Sequence, residues 1–219
     1  FGSPSRSVRF NGTSGYADIP VGPFNLFGAI TAVAWADVLT TPVFAGLFGH
    51  GDASWRMSVN NSGHPGASIG NATDATSASS IEDGNWHMVA YTYTGIPGNN
   101  NGLLYVDGVL VAGNNVVSAP AGDNLDVWIG GAPDYGANRL LNAQIAHAAI
   151  FTQALTAAQI ANLYHGVYSG PLNLGFTRSG SGVVLNWPAG TLLQAPTLLG
   201  PWTTNNSAVS PYSIATSFS

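Results

Sequence analysis

The sequence predicts an all-β protein: a two-sheet antiparallel jelly-roll sandwich with one short helix, followed by a small C-terminal β module. Three observations predict it. Short apolar runs recur between Gly, Asn, Asp and Pro punctuation, the spacing of strands that fold back on their neighbours. The pair Asp107-Gly108 separates the apolar runs 103–106 and 109–111, and Asp-Gly between such runs signals a type I′ hairpin turn. One segment, after Thr156, carries a clear helical pattern.

The elements follow in order. Strands are expected at 7–10, 16–19, 29–37, 43–49, 55–59, 67–69, 86–94, 103–106, 109–112, 127–130 and 143–151. Trp35, Trp86 and Trp128 lie in strand patterns and are expected in the core. The run 97–102, Pro-Gly-Asn-Asn-Asn-Gly, reads as a mobile turn. Thr156 and Gln159 form a capping box, with Leu155 before the cap placed to staple onto Ile160. Ile160, Leu163 and Tyr164 share one helix face, and Gly166 ends the helix. A lone helix after the strands is expected to plug one end of the sandwich. Residues 169–175 read as a linker, and further strands are expected at 174–177, 183–187, 192–194 and 212–215. The organisation expected is an N-terminal arm (1–6), a sandwich (7–168) and a C-terminal module (169–219). A module this small is marginal alone. It docks on the sandwich, or its open sheet edge is covered by another chain.

Composition narrows the function. Only 7% of residues are charged, against roughly 25% in soluble chains. Every basic residue is an arginine (Arg6, Arg9, Arg56, Arg139, Arg178), and Glu82 is the only glutamate. A surface of Asn, Ser, Thr and Gly suits carbohydrate contact or close packing against copies of itself. Five scattered arginines do not make a phosphate-binding patch, so nucleic acid is not an expected partner. No cysteine is present, which removes disulfides and thiolate metal sites. The most apolar stretch, 28–49, is interrupted by Asp37 and Pro42 and reads as two strands and a turn rather than a membrane span. The opening at Phe1 fits a secreted chain after signal removal and fits a trimmed chain equally.

Glycosidases use two positioned carboxylates, and the lone glutamate sits with Asp83 in a turn before Trp86, while Asp107 belongs to the hairpin. The histidines, His50, His64, His87, His147 and His165, show no metal-ligand spacing. His87 follows Trp86 in a strand and reads as a hydrogen-bonded sheet histidine on the opposite face. The expectation is therefore a protein that is not an enzyme. Two loops carry the chemistry of sugar recognition, an aromatic ring beside fixed polar partners. They are 49–56 (Gly-His-Gly-Asp-Ala-Ser-Trp-Arg) and 132–139 (Ala-Pro-Asp-Tyr-Gly-Ala-Asn-Arg). The candidate glycan-binding residues are Trp55, Arg56, Asp134, Tyr135, Asn138 and Arg139.

The stretch 83–94 (Asp-Gly-Asn-Trp-His-Met-Val-Ala-Tyr-Thr-Tyr-Thr) resembles the bacterial laminin-G-like (concanavalin A-like lectin/glucanase) family. So do 104–109 (Leu-Tyr-Val-Asp-Gly-Val), 129–131 (Ile-Gly-Gly), 143–151 and 154–164, together with 8–16 (Val-Arg-Phe-Asn-Gly-Thr-Ser-Gly-Tyr) and 32–35 (Ala-Val-Ala-Trp). The resemblance covers about residues 7–165 in the family's order. It implies a two-sheet jelly roll found in secreted, multi-domain, glycan-related or adhesive proteins. Such domains carry an acid after the first Phe and acids in the strand before the helix; here those places hold Asn11, Ala146 and His147. Calcium needs about six to eight oxygens, carboxylates first, so no cofactor is expected, with Asp18, Asp52 and Asp134 as the weak candidates for Ca2+. The resemblance points to a secreted or cell-surface, non-catalytic glycan-binding or adhesion protein whose partner is a polysaccharide. The alternative is a self-assembling subunit of an extracellular fibre or sheath, joined to copies of itself by strand addition. Without lysine such an assembly is noncovalent.

Overall fold

The computed structural model describes residues 7–20, 25–41, 44–122, 125–166, 175–179, 182–186, 192–197, 200–209 and 211–215. The expected arm (1–6) and most of the expected linker lie outside the described residues. The chain divides into two compact units, Phe1–Gly166 and Val167–Ser219.

Among the described residues the first unit holds twelve strands and one α-helix. In chain order they are β1 (Val8–Asn11), β2 (Ala17–Ile19), β3 (Ile30–Thr40), β4 (Ala45–Gly49), β5 (Trp55–Val59), β6 (Pro65–Ile69), β7 (Ala75–Thr76), β8 (His87–Tyr93), β9 (Gly102–Val106), β10 (Val109–Asn114), β11 (Val127–Ile129), β12 (Asn142–Phe151) and helix α1 (Ala157–Tyr164). They form two six-stranded sheets, β1-β12-β3-β8-β9-β10 and β2-β11-β4-β5-β6-β7. The pairs are antiparallel throughout. This is the expected jelly-roll sandwich. The β9–β10 hairpin turns at Asp107 (φ 51°) and Gly108 (φ 79°), the left-handed pair that a type I′ turn demands.

The main core lies between the sheets. Ala32, Ala34, Ala36 and Val38 of β3 meet Leu47, Trp55, Met57, Val59 and Ile69 of the second sheet. The run 32–36 is apolar at successive positions, so β3 is buried on both faces. Its alternate residues Val33 and Trp35 join Met88, Ala90, Tyr105, Leu155, Ile160 and Leu163 in a second core. The helix therefore covers the outer face of the first sheet, with Tyr164 stacked on Trp35 at 5.6 Å, and does not plug an end of the sandwich. Both halves of the Thr156–Gln159 capping box form.

Two further expectations are corrected. Trp128 is not in the core. It is paired with Asp18 and Gly49, faces outward from the second sheet, and stacks on Tyr16 at 3.7 Å. The 97–102 turn is pinned. Asn101 is 6% exposed, its Nδ2 donates to the carbonyls of Ile96 (2.7 Å) and Val116 (2.9 Å), and its Oδ1 accepts from the Val116 N–H (2.8 Å).

The second unit contains a three-stranded sheet, β13 (Gly175–Ser179), β14 (Gly182–Asn186) and β17 (Tyr212–Ala215), in that order. A two-stranded ladder joins β15 (Leu193–Gln194) to β16 (Thr203–Thr204).

Candidate functional site

The outer face of the second sheet carries the candidate site. Alternation on β5 turns Trp55, Met57 and Val59 inward and leaves Arg56 and Ser58 facing out. Register then aligns Gly46, Ser58, Gly66 and Thr76 in one row across β4, β5, β6 and β7, and Gly49, Arg56 and Ser68 in the next. Small residues beside Arg56 leave its guanidinium room to lie over the sheet.

Two segments rise above this floor. The 132–139 loop, built of two short 3-10 turns (Pro133–Tyr135 and Ala137–Arg139), crosses over β4. Its backbone comes so close that a Cβ on Gly46 would lie 2.1 Å from the Gly131 carbonyl oxygen. The 71–74 segment forms the opposite wall. Asp74 leans over Gly66, where an added Cβ would lie 3.5 Å from its Oδ2. Between the walls runs a cleft of about 400 Å³ lined by Phe44, Asp52, Arg56, Ser58, Thr73, Asp74, Thr76 and Arg139.

Polar pairing locks the walls. Arg56 donates to Asp74 Oδ1 at 2.6 Å, to the Asp52 carbonyl at 3.1 Å, and places Nε 3.4 Å from Asp52 Oδ1. The Tyr135 hydroxyl donates to Asp52 Oδ2 at 2.6 Å, and the Asp52 N–H donates to Asp134 Oδ2. The Arg139 guanidinium rests 3.3 Å above the Tyr135 ring and 5.5 Å from the Phe44 ring, a cation–π sandwich. Burial pushes the Asp74 carboxyl above its ordinary value even though Arg56 pulls it down. The bond to the Asp52 carboxylate, followed by burial, holds the Tyr135 phenol above its ordinary value. Phe44 is 42% exposed and has a left-handed backbone (φ 52°) that aromatic residues rarely adopt.

The six candidate residues divide accordingly. Arg56, Asp134, Tyr135 and Arg139 come together around the cleft. Asn138 is exposed on the same loop but does not line the cleft. Trp55 is 2% exposed and packs edge-on against Phe48, so it belongs to the core and not to a binding surface. Its loop neighbour His50 is also buried, with Nε2 donating to the Leu125 carbonyl (2.9 Å) and Nδ1 accepting from Ser54 (2.7 Å). Phe44, Asp52 and Asp74 complete the site. Phe44 carried no sequence signal, and Asp74 lies in the Asn-Ala-Thr-Asp turn (71–74), outside both candidate loops. Asp134 meets Asp52, whose N–H it accepts, but Asp18 does not join them, and among the described residues no three His, Asp or Glu side chains group to hold a cation. No helix among the described residues is long and apolar enough to cross a membrane.

Comparison with known proteins bears on this geometry. No curated protein sequence matches the chain. Among solved structures, a Trypanosoma rangeli sialidase in complex with sialic acid aligns with a TM-score of 0.53 and 26% identity, covering 72% of this chain and 27% of the sialidase. A native heptameric SAP-like pentraxin from Limulus polyphemus aligns at 0.52 with 16% identity, covering 72% and 81%. The binding domain of Paraclostridial Mosquitocidal Protein 1 aligns at 0.60 with 11% identity, covering 86% and 55%. The chain thus spans about a quarter of the sialidases it matches. These matches overturn the expectation that the protein is not an enzyme: the fold occurs inside sialidases, and a missing glutamate pair is no ground for excluding catalysis. A family model described as the concanavalin A-like lectin/glucanases superfamily, of the laminin-G type, matches residues 11–161. The chain belongs to that family.

Proposed function

We propose that the protein binds glycans through the cleft on the outer face of its second sheet, as an extracellular recognition or adhesion module. The observation that carries the reading is the Phe44–Arg139–Tyr135 arrangement beside the Arg56–Asp74 pair. An exposed ring offers a face to sugar C–H groups. The fixed guanidinium and carboxylate offer partners for hydroxyls, and pre-paired side chains lose little entropy on binding. The family and its lectin-type fold support the same reading. A glycan array with the purified chain tests it. Binding that falls about tenfold or more in Phe44→Ala and in Arg139→Ala is expected, and an array without hits contradicts it.

One feature favours the assembly reading as well. β1 ends the first sheet with Val8 60% exposed. Beside it an apolar cleft of about 420 Å³, lined by Phe10, Ala17, Ile129 and Ile145, opens between the sheets. Sedimentation that stays monomeric across concentration rules this reading out.

A further inference from the structure

We infer that the site takes a neutral oligosaccharide along its length, several rings at once, with the 100 and 113–115 turns forming a second subsite. This rests on the glycan reading above and names the class of glycan. A second cleft of about 360 Å³ is lined by Thr73, Asp74, Asn100, Gly113, Asn114 and Asn115. It shares Thr73 and Asp74 with the first. The two clefts are thus neighbours across one rim, and a chain filling the first continues over that rim into the second. From β4 to β7 the floor crosses three strand spacings, roughly 14 Å at about 4.8 Å each, and beyond the rim it reaches β10 of the other sheet.

The rim is fixed before any ligand arrives. Asn114 Nδ2 donates to the Thr73 carbonyl at 2.7 Å and to Ser68 Oγ at 3.3 Å, while its Oδ1 accepts from the Tyr91 hydroxyl at 2.9 Å. Asn115 Oδ1 accepts from the Asn100 N–H at 2.8 Å. The buried Asn101 holds the same turn against Val116. Such preorganisation lowers the entropy lost on binding.

Charge selects a neutral chain. In the first cleft Asp52 and Asp74 balance Arg56 and Arg139, and Arg56 is already paired with both carboxylates. Arg139 faces two aromatic rings, and Asp134 of the same loop accepts from the Asp52 N–H. In the second cleft Asp74 is the one ionisable side chain, and the rest are amides, a hydroxyl and a glycine. In the second cleft an acidic sugar would meet Asp74 with no cation among the residues that line it. The groups that remain suit hydroxyls: the Asn100 and Asn115 amides and the Thr73, Thr76 and Ser58 hydroxyls.

The test is calorimetric titration of the full chain with neutral ladders of one to six rings from the gluco-, manno-, xylo- and N-acetylglucosamine series. Uronic acid oligomers of matched length run beside them. Affinity is expected to rise about tenfold or more from one ring to four in a neutral series, with no gain from the uronic acids. Asn100→Gly, which keeps the left-handed backbone (φ 49°), and separately Asn115→Ala, reduce the six-ring affinity toward the short-chain value and leave the short-chain affinity unchanged. A single ring that binds as tightly as six, or a preference for uronic acids, overturns this inference and leaves the glycan reading standing. Absence of binding by every saccharide overturns both.

Discussion

The Arg56 guanidinium reaches Asp74 Oδ1 at 2.6 Å across the outer face of the second sheet, joining the floor of the cleft to its wall. Both side chains are largely sheltered, at 19% and 16% exposure. Arg56→Met keeps the apolar stem and removes the charge. It leaves Asp74 sheltered without its cation, at a cost of about 2 kcal/mol, below the ~3–5 kcal/mol of a fully buried pair. Burial already raises the Asp74 carboxyl, and losing Arg56 raises it further. A raised carboxyl favours the folded state at low pH and opposes it once pH passes through the folded value. The deficit of Arg56→Met, measured by urea denaturation, is therefore larger at pH 7 than at pH 4.5.

Gly46 tests the loop that roofs the cleft. A methyl there meets the backbone of Gly131 and Ala132 at 2.1–2.7 Å, and no rotamer relieves a backbone contact. Gly46→Ala is expected to displace the 132–139 loop and lower glycan affinity about tenfold or more. Gly28→Ala, where nothing lies within 4 Å, is the control and leaves affinity unchanged.

Trp55 separates core from site. Trp55→Ala removes a side chain packed on Phe48 in the main core and costs about 3–5 kcal/mol. Trp55→Phe lowers the melting temperature less and leaves glycan affinity of the folded protein unchanged. Loss of affinity without loss of stability in Trp55→Phe would return this residue to the binding surface.

Much of this architecture was legible in the chain. Strands β5 and β17 start and end where their apolar patterns do, and the capping box of Thr156 with Gln159 is a local motif that needs no tertiary help. The facing of a strand was harder to read. Trp55 and Arg56 are adjacent, so one must turn inward; the alternation of Trp55 with Met57 and Val59 assigns Trp55 to the core, a pattern hidden when 49–56 is read as one loop. Asn101 looked like turn punctuation, yet its amide fills the bonding needs of a backbone fifteen residues away. Phe44, Asp52 and Asp74 meet because register aligns β4, β5, β6 and β7, and no spacing along the chain encodes that.

His87 gives the fold a pH dependence away from the cleft. Its Nδ1 lies 2.7 Å from Asp107 Oδ2 and its Nε2 3.1 Å from Asp83 Oδ1. Burial alone would lower the imidazole, but the bonds to Asp107 and Asp83 outweigh it and raise it above 6.5. A raised histidine stabilises the fold fully below its unfolded value, and that contribution disappears as pH rises through the folded value. Thermal melts from pH 6 to 8.5 should show the wild type losing stability across that window, and His87→Gln should flatten the slope.

Glycan binding in the cleft is tested most directly by amide chemical-shift mapping of the full chain during titration with a neutral oligosaccharide that the ladder shows to bind. Shifts are expected at Phe44, Arg56, Asp74 and Arg139, extending to Asn100 and Asn115 with longer chains, and none on helix α1. Shifts confined to Tyr16 and Trp128, or to the apolar cleft beside Val8, would contradict it.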